Sequence, residues 1–86
     1  MNGPYRLTLK PRAQRDLDRF TGEILQRLRE AINELSHDPR GRGTKKLKVS
    51  DSICRKRCGN YRILYEIDDA AHEVVVHRVG DRKDVY

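Results

Sequence analysis

Residues 5–9 read YRLTL, an apolar–polar alternation that predicts a strand. The period then lengthens. Pro11 suits the first turn of a helix, where its missing N–H costs nothing. Ala13, Leu17 and Phe20 recur at helical spacing among Arg12, Arg15, Asp16, Asp18 and Arg19. Thr21-Gly22 interrupts the pattern, and Thr21 can cap a second helix. There Ile24, Leu28, Ala31, Ile32 and Leu35 form one apolar stripe. Pro39 stops this helix, and Gly41 and Gly43 make a flexible basic loop. Beyond the loop the period is two. Residues 46–49 read as a short extended piece, 53–58 as a strand, Gly59-Asn60 as a turn, and 61–67 (YRILYEI) as a strand. Residues 68–72 are a loop, and 73–79 (EVVVHRV) the last strand, ended by Gly80.

This pattern implies two antiparallel helices joined by a tight turn, each with one apolar face that a sheet must cover. The expected architecture is α+β, of order β-α-α-β-β-β. A mostly antiparallel, twisted sheet would carry both helices on one face. At 86 residues the chain is expected to be a single domain, 1–86, with a small core.

Alternation also assigns sides. Tyr61, Ile63, Tyr65 and Ile67 share one side of their strand; Arg62, Leu64 and Glu66 share the other. If the helices cover the tyrosine side and Cys54 and Cys58 face the core, Arg55, Arg57 and Arg62 converge on the open face. Lys56 then has core-facing parity, and its stem must snorkel to the sheet edge.

Charge gives that convergence its meaning. Residues 40–62 hold nine Lys or Arg (Arg40, Arg42, Lys45, Lys46, Lys48, Arg55, Lys56, Arg57, Arg62) and one acid, Asp51. The segment is therefore +8 in a chain of net charge +6, and the remaining residues sum to −2. Like charges packed this densely repel, which is the signature of a surface built for a polyanion. The balance leaves DNA, RNA, an acidic protein and a membrane surface all open. No apolar run approaches the ~20 residues that cross a bilayer. The N-terminus lacks a signal-peptide core, so a cytoplasmic location without membrane attachment is expected. Cys54 and Cys58 on one strand would have Cα atoms about 13 Å apart, too far for a disulfide. With three scattered His and no further Cys, they read as free thiols in small core spaces rather than metal ligands.

No Gly-rich phosphate loop, HExxH or GxSxG is present. What remains is the cation set and the final GDRKDVY with Tyr86. Cleavage of RNA by its own 2′-OH needs charge stabilisation on the phosphorane, in-line orientation and two proton transfers. Guanidinium groups bind phosphate bidentately, and a tyrosine or lysine among crowded cations can act as a base. No cofactor or metal is called for.

The stretch ICRKRCGNYRILYEID, followed by VVVHRVGDRKDVY, resembles the RelE/ParE toxin superfamily, and more specifically its RelE-like mRNA interferases. PRAQRDLDRF near the N-terminus and KKLK before the strands match too, so the resemblance covers nearly the whole chain. It implies a RelE-like microbial RNase fold and a type II toxin that cleaves mRNA in the ribosomal A site. A metal-independent endoribonuclease is expected, leaving a 2′,3′-cyclic phosphate. Its partners would be the 70S ribosome, mRNA and a cognate RelB-like antitoxin. By the same resemblance Arg62 and Arg82 stabilise the phosphorane, Tyr86 is base or positions the base, and Arg55 and Arg57 transfer a proton or anchor substrate. The position of Asp81 often holds a basic residue or His in such toxins. Lys45, Lys46, Lys48, Lys56 and Lys83 are expected RNA or ribosome contacts. His37 reads as a helix-dipole partner, and Tyr61 and Tyr65 as core. Two other readings stand beside this one: a ParE-like inhibitor of DNA gyrase with the same fold, and a non-enzymatic ribosome- or RNA-binding relative.

Overall fold

Seven elements organise the chain in the computed structural model, which describes residues 4–47 and 52–81. Lys48, Arg82, Lys83 and Tyr86 lie outside the described residues. The elements are β1 (Arg6–Leu9), α1 (Pro11–Leu17), α2 (Gly22–His37), β2 (Thr44–Lys46), β3 (Ile53–Cys58), β4 (Tyr61–Asp68) and β5 (Glu73–Asp81). One sheet of order β1-β5-β4-β3-β2 contains all five strands. Its three pairs from β2 to β5 are antiparallel and β1 lies parallel to β5, so the sheet is mixed. The fold is the expected α+β arrangement, with a fifth strand, β2, lying earlier in the basic loop than the extended piece read at 46–49.

The local reasons are those of the sequence, with three differences. Pro11 opens α1, and Ala13 and Leu17 are buried. Thr21 is the N-cap of α2 by backbone conformation, yet its side chain makes no capping bond. Leu28, Ala31, Ile32 and Leu35 are buried with Leu25 packed against the core beside them, whereas Ile24, expected in the same stripe, is 41% exposed at its margin. As expected, each helix lays its apolar stripe on the sheet, α1 against β5 and β1, α2 against β1, β3 and β5. Gly59 (φ 59°) occupies the first central position of the two-residue β3–β4 turn, where the tight hairpin geometry needs a residue without a Cβ. Gly80 does not end the last strand. It pairs with Arg62, and β5 runs on to Asp81.

The core lies between helices and sheet. Ile63, Tyr65, Val74 and Val76 are fully buried, as are Leu28 and Leu35 opposite them. The Tyr65 hydroxyl donates to the Pro39 carbonyl, tying β4 to the loop after α2. Between β4 and β5 the register slips: Leu64 pairs with Arg78 but Tyr65 with Val76, leaving His77 as an extra residue. This bulge lets Val74, Val76 and Val79 all enter the core although their spacing is not a strict alternation.

Candidate phosphate-binding site

The open face of the sheet is built by register. Arg57 stands directly opposite Arg62, Arg55 opposite Leu64, and Lys45 opposite Arg55. Side chains opposed across a ladder share a face, so Lys45, Arg55, Arg57 and Arg62 lie together on the side away from the helices. Gly80, opposite Arg62, adds no side chain there. Leu64 is only 9% exposed although it faces away from the core, a position flanked by Arg55 and Arg78. The Arg55 Nη1 donates to the Gly43 carbonyl at 3.3 Å, and the Arg57 backbone N–H donates to the same oxygen at 2.9 Å. The start of β2 thereby fixes the arginine-bearing strand. Farther along the face Glu66 and His77 share a hydrogen bond of 2.9 Å.

Other expected cations separate from this group. Lys46 pairs with Cys54 and so has helix-side parity at the sheet edge, opposite to Lys45. Lys56, expected among the RNA contacts, is 8% exposed; its Nζ lies 3.4 Å from Glu34 and donates to the Arg42 carbonyl at 3.3 Å. Its parity is the expected one, and its ammonium has partners within the fold. Arg40, read as a loop charge, makes a two-pronged contact with Asp69. That guanidinium, with the Tyr5 hydroxyl, holds the Asp69 carboxyl below its usual range. Asp81 pairs with Tyr61, which places it on the tyrosine side and not among the arginines. Cys54 and Cys58 are free and pack against the core, and burial pushes both thiols up.

Arg78 was not singled out from the sequence. It pairs with Leu64, next along the open face from the Arg62–Gly80 pair, and its Nε donates to Asp16 at 2.8 Å. Asp16 also accepts the Val79 N–H at 2.9 Å. The carboxylate thus bridges α1 to β5 just beyond the stretch that β1 covers. The sequence carried no clear signal for it: VVVHRV holds valines of both parities, so alternation alone does not say which way the arginine turns. Among the described residues no group of three or more His, Cys, Asp and Glu converges.

A five-stranded mixed sheet with two helices on one face is the fold of RelE-type toxins; isolated RelE from Escherichia coli superposes with a TM-score of 0.77 over 95% of this chain and 90% of that one, at 24% identity. The chain belongs to the RelE/ParE superfamily, since the model of the ParE toxin family of type II toxin–antitoxin systems matches residues 7–86. It is 36% identical over 84 residues to Toxin RelG of Mycobacterium tuberculosis, covering 96% of this chain and 97% of that protein. Toxin RelE of the same organism is 29% identical over 84 residues, covering 96% and 87% respectively. Among solved structures, the RelBE2 toxin–antitoxin complex from M. tuberculosis contains a chain of TM-score 0.81 and 36% identity, with 93% of this chain and all of that one aligned. The protein is thus the toxin of a type II toxin–antitoxin system. None of the helices described is long and apolar enough to cross a membrane.

Proposed function

We propose that this toxin is a ribosome-dependent mRNA endonuclease that works in the A site. The observation that carries this reading is the direct opposition of Arg57 and Arg62 on the open face, with Arg55 next along that face. Like charges set opposite each other destabilise a sheet. A phosphate between them, gaining negative charge as it becomes a phosphorane, turns that repulsion into attraction. In the proposed reaction the 2′-OH attacks the adjacent phosphorus, the P–O5′ bond breaks, and a 2′,3′-cyclic phosphate and a 5′-OH result. One proton leaves the 2′-OH for the base and one reaches the departing 5′-oxygen. Arg62 and Arg82 stabilise the phosphorane, and Tyr86 acts as base or positions it. Arg55, held at Gly43, and Arg57 anchor the substrate; a guanidinium is a poor proton donor, which favours anchoring. Lys45 extends the cationic face toward the ribosome.

The partner is a RelB-like antitoxin, as RelBE2 and the E. coli RelBE complex contain for their own toxins. An acidic antitoxin segment covering Arg55, Arg57 and Arg62 would silence the site. The protein acts in the cytoplasm, where its ribosomal substrate lies.

A second reading, inhibition of DNA gyrase, is favoured by one observation: the matching family model is that of ParE toxins. One experiment separates the two. Purified ribosomes carrying a programmed A-site codon are incubated with the toxin and the RNA ends are analysed. New cyclic-phosphate ends are expected. Intact mRNA together with trapped gyrase–DNA cleavage complexes would replace the nuclease with the gyrase reading.

A further inference from the structure

A second cationic surface adjoins the open face. A groove of about 370 Å³ between α1 and the free part of β5 is lined by Arg12, Arg15, Arg19 and Arg78, with Asp16 and Asp18. The two acids are already engaged. Asp16 accepts from Arg78 and from the Val79 N–H, and Asp18 accepts from Gln14 at 3.2 Å. Arg12, Arg15 and Arg19 are exposed and have no ion-pair partner among the described residues. Their spacing of three and four residues places them in one row on α1 and the turn after it. At 1.5 Å of rise per residue the row is about 10 Å long. A stacked nucleic-acid strand carries a phosphate about every 3.4 Å of axis, so the row spans about three phosphates.

The groove also has a direction. Arg78 lies on its wall and on the open face, in the next pair along that face from Arg62. A strand held at Arg57 and Arg62 can therefore leave the face past Arg78 and run along α1, where four arginines outweigh Asp18, the one carboxylate there without a counter-charge among the described residues.

We propose that Arg12, Arg15 and Arg19, with Arg78, form a docking track for the sugar–phosphate backbone of RNA flanking the bound phosphate. This deepens the nuclease reading and rests on it for the identity of the strand. The track reads charge and spacing rather than sequence, as contacts confined to phosphates do. Asp16 is its positioning residue, because it fixes Arg78 against the groove.

Binding of the full-length toxin to fluorescein-labelled single-stranded oligouridine, measured across a potassium chloride series, tests the track without any cleavage step. Each phosphate contact to a single strand contributes about 0.7 to the slope of log affinity against log salt. The triple variant R12Q/R15Q/R19Q should lower the magnitude of that slope by about 2, whereas R12K/R15K/R19K should leave it nearly intact. Equal slopes for wild type and the Gln variant would overturn the proposal, as would equal losses in the Gln and Lys variants. Loss of polyglutamate binding with the RNA slope unchanged would also overturn it and assign the groove to an acidic protein. Should the Gln variant melt early, the single substitution Arg15→Gln carries the test, with an expected slope change of about 0.7. Ribosomal cleavage is scored separately. A wild type that fails to cleave mRNA while its RNA slope depends on the three arginines retains the track and loses the nuclease. Cleavage with an unaltered slope does the reverse.

Discussion

Arg57 and Arg62 occupy directly opposed positions on β3 and β4, so two guanidinium groups share one spot on the face that the helices leave open. Antiparallel ladders ordinarily place complementary partners at such positions, and like charges there cost stability. The arrangement therefore reads as a binding feature tolerated by the fold rather than one that holds it together.

That reading yields a trade-off. Replacing exposed Arg57 with Thr should raise stability by about 0.2–1 kcal/mol, from removed repulsion and strand propensity. In a domain of this size this amounts to a melting temperature higher by up to about 4–8 °C. The same variant should cleave more slowly. Arg62→Ala should cost on the order of 10²–10³ in single-turnover rate on programmed ribosomes if it stabilises the transition state. A loss below about tenfold would remove that role from Arg62.

Asp16 joins α1 to the far end of β5 by two hydrogen bonds, one of them from a guanidinium. Asp16→Ala leaves the Val79 N–H without its acceptor and Arg78 without its counter-charge. A destabilisation of about 2–4 kcal/mol is expected in urea denaturation. Asp16→Asn, which can still accept one bond, should lose less.

Lys56 and Glu34 should behave asymmetrically. Truncating Glu34 to Ala strips the buried ammonium of its carboxylate and leaves only the Arg42 carbonyl, so denaturation should show a clear loss. Lys56→Met removes the charge and keeps the apolar stem, and should be neutral or stabilising. The pair of melting curves checks this.

Alkaline pH should loosen the core through Tyr65. Burial pushes its hydroxyl up to about 12 from the ordinary 10. Because the folded state holds the proton more tightly, this contribution is complete below pH ~10 and fades as pH rises toward about 12. Tyr65→Phe should flatten that part of the stability profile and cost about 1–3 kcal/mol at neutral pH, since the Pro39 carbonyl loses its donor. Chemical denaturation of both proteins between neutrality and pH ~11 distinguishes them.

Much was legible because the patterns are local. The strand periods, Pro11, the Gly59-Asn60 turn and the α2 stripe depend on neighbours in sequence, and apart from β2 and the end of β5 the elements lie where their patterns put them. Lys56 shows where locality stops. Its core-facing parity followed from alternation, but its ion pair with Glu34 joins two elements that only packing brings together. Ile24 matched the helical stripe and is exposed, because Leu25 beside it fits the same spacing and takes the core side.

By itself, then, the sequence determined that Arg55 and Arg57 would share one side of their strand, since the side-chain period is two, and that Arg62 would join them if Cys54, Cys58 and the tyrosines face the core. Only the tertiary structure decided what lies beside them. Strict alternation along β5 would send Arg78 inward with Val74 and Val76 and turn Val79 out. The bulge at His77 exchanges the two, because the core gains a valine and Asp16 on α1 waits at the sheet edge for the arginine. That exchange is a contest between burial energies of residues far apart in the chain, and it is what extends the arginine face onto α1.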